Sequence, residues 1–156
     1  FCGSCDRVLC TLSGMTNMDP LLDNVKTFTH FRPLTEEELV FMEEMATQMM
    51  EYPMINCTDC KYCMPCPWGI DIPGTFQHYN RCITEGTYAQ SQEQKNYRKL
   101  KQAYLVSYDR AVATVRQADH CIACGECLSH CPQSIAIPAQ LSRIAKYIES
   151  LKQDTL

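Results

Sequence analysis

The chain has 156 residues, a net charge of -4 at pH 7 and a pI near 5.5, an acidic balance that argues against nucleic acid as an obligate partner. No run of about 18 apolar residues occurs, so no transmembrane helix and no membrane partner are expected, and no basic-then-apolar leader opens the chain. Hydrophobic residues make up 46%, but 12 of them are cysteines, so something besides burial is expected to help hold the fold.

The first 33 residues are irregular, with a turn-like SGMTN followed by a short helix-like stretch. At Thr35 the character changes: Thr35 and Glu38 form a capping-box pattern, and Leu39, Met42, Met45 and Met49 recur at helical spacing. The spacing predicts a helix over 36–51, ended by Pro53, with Met42, Met45, Met49 and Met50 read as packing residues. The run CTDCKYCMPCPWGIDIP follows at 57–73. Ile72, Phe76, Tyr79 and Ile83 then predict a helix from about Pro73 to Gly86. After a polar connector, Tyr97, Leu100, Tyr104, Tyr108, Ala111 and Val115 predict a long helix over about 93–118. CIACGECLSHCPQSIAIP occupies 121–138, and Ile137, Leu141, Ile144, Ile148 and Leu151 predict a last helix. No segment alternates as a strand would. The expected fold is all-α around two cysteine loops, in two parts: 1–33, and a helical domain over 34–156.

The two cysteine runs are halves of an internal repeat. A shift of 64 superposes Cys57, Cys60 and Cys63 on Cys121, Cys124 and Cys127; a shift of 65 superposes Cys66-Pro67, Ile70, Ile72 and Pro73 on Cys131-Pro132, Ile135, Ile137 and Pro138. The apolar helix positions follow the same shift. Cysteines, prolines and apolar positions match together, so shared compositional bias is a poor explanation.

The second run reads C-x2-C-x2-C-x3-C-P, the spacing of bacterial [4Fe–4S] sites in which the fourth cysteine serves the other cluster. Three cysteines two residues apart wrap three corners of a cubane, and the proline turns the fourth away. Crossing over, one cluster takes Cys57, Cys60, Cys63 and Cys131, and the other takes Cys121, Cys124, Cys127 and Cys66. The first run has a gap of only two residues, Met64-Pro65, before its fourth cysteine, so local ligation by four cysteines of each run is the alternative. Zinc is a further competitor, but zinc sites use two C-x2-C pairs rather than two triplets each trailed by C-P. Disulfides are disfavoured by the missing secretory signal and by strain among four closely spaced thiols.

Ile70, Ile72, Ile135 and Ile137 are expected in the core, where they also keep water from the clusters. Tyr62 and Trp68 either cover a cluster face or simply pack. His120 and His130 each precede a cysteine of the second run, but with eight thiols supplied they are not needed as ligands. Cys82 reads as a half-buried bystander, and Cys2, Cys5 and Cys10 as spare thiols.

With two such runs and helices between them, residues 53–152 resemble the α-helical ferredoxin domain of succinate dehydrogenase-type iron–sulfur subunits. The phrase CTDCKYCMPCPWGIDIP is similar to the C-terminal dicluster extension of bacterial aldo/keto reductases of the iron–sulfur type. LSGMTNMDPLLDNV, residues 12–25, resembles the end of such a reductase's barrel. That resemblance implies contact of Gly14, Thr16, Asn17, Asp23 and Asn24 with the adenosine phosphate of NADP. The arginine often found there has no counterpart; Met18, Asp19 and Pro20 occupy the stretch. The residues that carry reduction in that family lie in a barrel that 33 residues cannot form, so no catalytic residue is assigned. The chain, opening at Phe1, reads as the last piece of a barrel plus a whole dicluster domain.

The expected function is one-electron relay between a donor and the active site of such a cytoplasmic oxidoreductase, with two [4Fe–4S] clusters here and NADP only in the full-length parent. The expected partner is a redox protein or the missing barrel. The alternatives are a cluster or zinc that only staples a helical domain, and redox sensing by an exposed cluster, for which no DNA-binding motif or basic helix is evident.

Overall fold

The computed structural model describes residues 1–51 and 53–156. Five helices carry the chain: α1 Met18–Thr29, α2 Glu36–Glu51, α3 Ile72–Thr84, α4 Tyr97–Ala111 and α5 Ile137–Gln153. Short 3-10 turns lie at Cys2–Ser4, Thr114–Arg116 and Ala118–His120. No strand occurs among the described residues, so the fold is all-α as the periodicities predict. None of their helices is long and apolar enough to cross a membrane.

Contacts divide the chain into two compact units, Phe1–Tyr52 and Pro53–Leu156. The boundary drawn from composition at 33/34 groups α2 with the cysteine loops; the contact boundary groups it with α1.

In the first unit, Asn17 caps α1 by accepting the Asp19 N–H at 3.2 Å. The capping box at α2 forms: the Thr35 N–H donates to Glu38 Oε2 at 2.8 Å, and the Glu38 N–H donates to Thr35 Oγ1 at 3.3 Å. Arg32 adds a two-pronged ion pair to the Glu38 carboxylate, at 2.7 and 3.0 Å. Neither helix buries a residue. Met42, Met49 and Met50 are exposed, so the methionine stripe, expected to pack, does not form a core.

The second unit holds the core. Asp71 caps α3, its Oδ1 accepting the Gly74 N–H at 3.1 Å. A Cβ on Gly74 would lie 2.6 Å from Asp71 Oδ2, so a larger residue there would displace the capping carboxylate. The helix ends in a Schellman turn: the Thr87 N–H reaches the Cys82 carbonyl at 2.9 Å across left-handed Gly86. Along α5, Ile137, Leu141, Ile144, Tyr147, Ile148 and Leu151 are buried, and each contributes about 1.5–3 kcal/mol.

The helix predicted over 93–118 is shorter, and α4 covers Tyr97–Ala111. Val112 turns extended, at φ -129 and ψ 115, and is buried. The Gln117 side-chain amide then donates to the freed Val112 carbonyl at 3.2 Å and to Asp109 Oδ1 at 2.9 Å. Burying one β-branched side chain and satisfying its carbonyl outweighs continuing the helix.

Tyrosines tie the connecting segments to this core. The Tyr79 hydroxyl donates to the Pro53 carbonyl at 3.1 Å; that of Tyr108 accepts the Ala118 N–H at 3.0 Å; that of Tyr147 meets both the N–H and the carbonyl of Ala89, at 2.9 and 3.0 Å. Tyr88 stacks on Tyr147, with ring centroids 4.2 Å apart. Asn80 pairs with both backbone groups of Ile55, at 2.7 and 2.8 Å, and so holds the approach to the first cysteine run against α3.

Candidate iron–sulfur centres

The two runs fold into equivalent loops, and the backbone carries the repeat more fully than the side chains do. Asp59 and Ala123, 64 apart, are both left-handed, at φ 56 and 58. Lys61 and Gly125, again 64 apart, are left-handed at φ 62 and 83; Gly69 and Ser134, 65 apart, at φ 77 and 52. The turns match as well: Met64 N–H to the Lys61 carbonyl and Leu128 N–H to the Gly125 carbonyl, then Gly69 N–H to the Cys66 carbonyl and Ser134 N–H to the Cys131 carbonyl. The one-residue difference between the runs falls between these two turns. Alternating left-handed residues turn successive N–H groups into a concavity that suits an anion.

Eight thiols surround two cavities. Cys57, Cys60, Cys63 and Cys131 line the first, a narrow space of about 20 Å³ walled by Ile72, Pro73, Phe76 and Ile137. Cys66, Cys121, Cys124 and Cys127 line the second, of about 190 Å³, which opens beside Tyr62, Trp68 and Ile122. The first cavity thus takes three cysteines from the first run and Cys131 from the second; the second takes three from the second run and Cys66 from the first, with Cys63 also on its wall. Cys60 and Cys124 are exposed and the other six are part-buried.

Burial pushes the Cys57, Cys63 and Cys127 thiols up, Cys63 to about 11, with neighbouring thiols adding to the shift. The Cys57 thiol is drawn back partly by the Asp59 N–H, and the Cys63 and Cys127 thiols each by their own N–H. Metal loading must therefore release protons.

Among the described residues, no three His, Cys, Asp or Glu side chains converge closely enough for a single metal ion. The thiols ring cavities rather than meet at a point. Thiols from both runs around each cavity, apolar walls and left-handed backbone turns fit a polynuclear iron–sulfur cluster.

The remaining sequence candidates divide. Ile70, Ile72 and Ile137 are fully buried and Ile135 partly so. Tyr62 and Trp68 are exposed on the rim of the second cavity. His130 lines that cavity, while His120 Nε2 bonds the Thr114 carbonyl at 3.0 Å. Cys82 is fully buried rather than half-buried, 3.4 Å from His78 Nε2. Cys2, Cys5 and Cys10 are exposed. Gly14 and Thr16 precede α1, Asn17 caps it, and Asp23 and Asn24 lie within it; the Asn24 amide donates to Ser13 Oγ at 3.0 Å.

Sequence reasoning missed Arg116 and His78. The Arg116 Nε donates to the Gly69 carbonyl at 3.1 Å and its own carbonyl accepts the Asp71 N–H at 2.9 Å, tying the exit of the first loop to the approach of the second. His78 is buried beside Ser107, with Nε2 2.8 Å from Ser107 Oγ. The Ser107 hydroxyl in turn reaches the Tyr104 carbonyl at 3.0 Å. Burial holds this imidazole down, at about 4, with Arg81 adding. Only its place in an otherwise apolar helical stripe hinted at burial.

An all-helical unit that wraps two sets of four thiols defines the class: an iron–sulfur protein. The family model for the 4Fe-4S dicluster domain matches residues 56–136, and the chain belongs to that family. Its cofactors are two [4Fe–4S] clusters. No curated protein and no solved structure gives a significant match.

Proposed function

We propose that the chain is an electron-transfer module with crossed ligation. Cys57, Cys60, Cys63 and Cys131 hold one cluster; Cys121, Cys124, Cys127 and Cys66 hold the other. The observation that carries this reading is that the fourth cysteine of each run lines the cavity of the other run's triplet, Cys131 the first and Cys66 the second. When bound, each cluster supplies one-electron redox chemistry at a potential set by its surroundings. The chain's own residues ligate, exclude water through Ile72, Phe76 and Ile137, and direct N–H groups at the sulfurs.

The parent we infer is an aldo/keto reductase-type oxidoreductase in the cytoplasm. The partner is then its barrel, or a separate redox protein. This rests on CTDCKYCMPCPWGIDIP and on the turn and helix at 12–25, where an Asn17-capped helix carries Asp23 and Asn24. Phosphate contact through Gly14, Thr16, Asn17, Asp23 and Asn24 belongs to that parent with its NADP.

Film voltammetry of the anaerobically loaded chain tests the relay: two reversible one-electron couples are expected. Clusters that are lost on reduction rather than cycled would leave a structural staple instead.

A further inference from the structure

A cleft of about 610 Å³ lies between α3 and α4, and it shares no lining residue with either thiol cavity. Arg81 of α3 faces it, with Lys99 and Arg110 of α4. Residues 99, 103, 106 and 110 recur at helical spacing and so share one face of α4. Ala103, Val106 and Ala111 make the apolar part of the lining. Gln102 and Ser107 complete it, and the Ser107 hydroxyl is held inward by His78 at 2.8 Å and the Tyr104 carbonyl at 3.0 Å. Among the described residues no carboxylate lines the cleft. Their three ion pairs are Arg32–Glu38, Lys61–Asp59 and Lys101–Asp154, so Arg81, Lys99 and Arg110 have no carboxylate partner. Asp109, the neighbour of Arg110, accepts the Gln117 amide instead, at 2.9 Å.

We propose that this cleft binds a small soluble phosphate monoester, with Arg81 and Arg110 taking the phosphate oxygens, Lys99 adding charge, and Ala103, Val106 and Ala111 taking the carbon skeleton. Three like charges around one cleft repel one another, and a bound anion offsets that repulsion. A phosphate monoester carries a charge of about -1.5 to -2 at neutral pH, with three strong acceptor oxygens. A planar guanidinium matches two of those oxygens at once. A single carboxylate has one charge and two oxygens, and leaves most of the cationic lining unopposed. The cleft also falls within the roughly 300–1,000 Å³ of small-molecule sites. Binding here is non-covalent, and no bond forms or breaks.

The test is isothermal titration calorimetry of the full cluster-loaded chain, without oxygen and at low ionic strength, with glucose 6-phosphate as the probe. One-to-one saturable binding is expected, with none for glucose and weaker binding for gluconate. Arg81, Lys99 and Arg110 are exposed, so their substitution leaves the fold intact, and circular dichroism checks this. Arg81→Gln and Arg110→Gln should each weaken binding several-fold, and Arg81→Lys, which keeps the charge and loses the fork, should weaken it less. Lys146→Gln is the control, an exposed cation of α5 outside the cleft, and should bind as the unaltered chain does. No binding of glucose 6-phosphate, equal binding of gluconate, or equal loss in Lys146→Gln would overturn the proposal. Vesicles containing phosphatidic acid present the same group on a membrane; binding to them but not to glucose 6-phosphate would overturn it as well.

Discussion

The left-handed residues of the cysteine loops make a paired prediction of opposite sign. Gly125 sits at φ +83, and a Cβ added there would meet only Leu128 Cδ1, at 3.7 Å, an ordinary contact. The cost of Gly125→Ala is therefore backbone strain, roughly 1–2 kcal/mol. Against this stands about 0.4–1 kcal/mol gained by stiffening the unfolded chain; the net loss is about 1 kcal/mol. Ala123 occupies the same region at φ 58 with a side chain already present. Ala123→Gly relieves that strain and gives up the unfolded-chain term, for a net gain between zero and about 1 kcal/mol. The assay is anaerobic guanidinium unfolding of the loaded chain, followed by loss of iron–sulfur absorbance. Gly125→Ala is expected to lower the midpoint, with Ala123→Gly at or above wild type. If Ala123→Gly destabilised as much as Gly125→Ala, the left-handed loop geometry would not be what these positions select.

Three other outcomes follow from the same reasoning. Asn80→Ala strips both backbone partners from buried Ile55 and should cost about 1–3 kcal/mol; a neutral result in denaturant melts would contradict the pairing. Arg32, and then the Thr35 N–H, hold the Glu38 carboxyl at about 2. Its contribution to stability is present above the ordinary value near 4.5 and lost as pH falls through about 2. A carboxyl NMR titration with a midpoint above 4 would refute this, and Arg32→Ala should move the midpoint up. His78 stays neutral when folded, with its pKa near 4 against an ordinary 6.5. Its contribution is complete above pH 6.5 and erodes down to pH 4, by roughly 3 kcal/mol in all. His78→Gln should remove that acid dependence from urea unfolding curves, and an unchanged slope would count against the buried imidazole.

The parts of the molecule legible in sequence were those where several signals coincide. The Thr35–Glu38 box and the +3/+4 apolar spacing located α2; Pro73 and Pro138, each followed by an apolar stripe, located α3 and α5. The two cysteine runs gave the iron–sulfur character, because the positions of thiols and prolines encode the loop directly. The ends of α4 were not legible, since Val112 leaves the helix to fill a tertiary gap that periodicity does not register. The left-handed positions were hidden because Asp59, Lys61, Ala123 and Ser134 are not glycines; only Gly69 and Gly125 advertised one member of their pairs. The tyrosines of α3, α4 and α5 read simply as apolar marks. Their hydroxyls anchor loops at Pro53, Ala89 and Ala118, contacts 26, 58 and 10 residues away in sequence that no local pattern specifies. The methionines of α2 had the right spacing for packing, but spacing alone does not supply a surface to pack against.

Iron and acid-labile sulfide per chain, measured on protein prepared without oxygen, test the central claim most directly. The chain should carry about eight of each, as two four-iron clusters. A variant with Cys66, Cys121, Cys124 and Cys127 all replaced by alanine should keep about four of each, because Cys57, Cys60, Cys63 and Cys131 remain together around the first cavity. Zinc without sulfide in the unaltered chain, or loss of all iron from the variant, would contradict the crossed dicluster account.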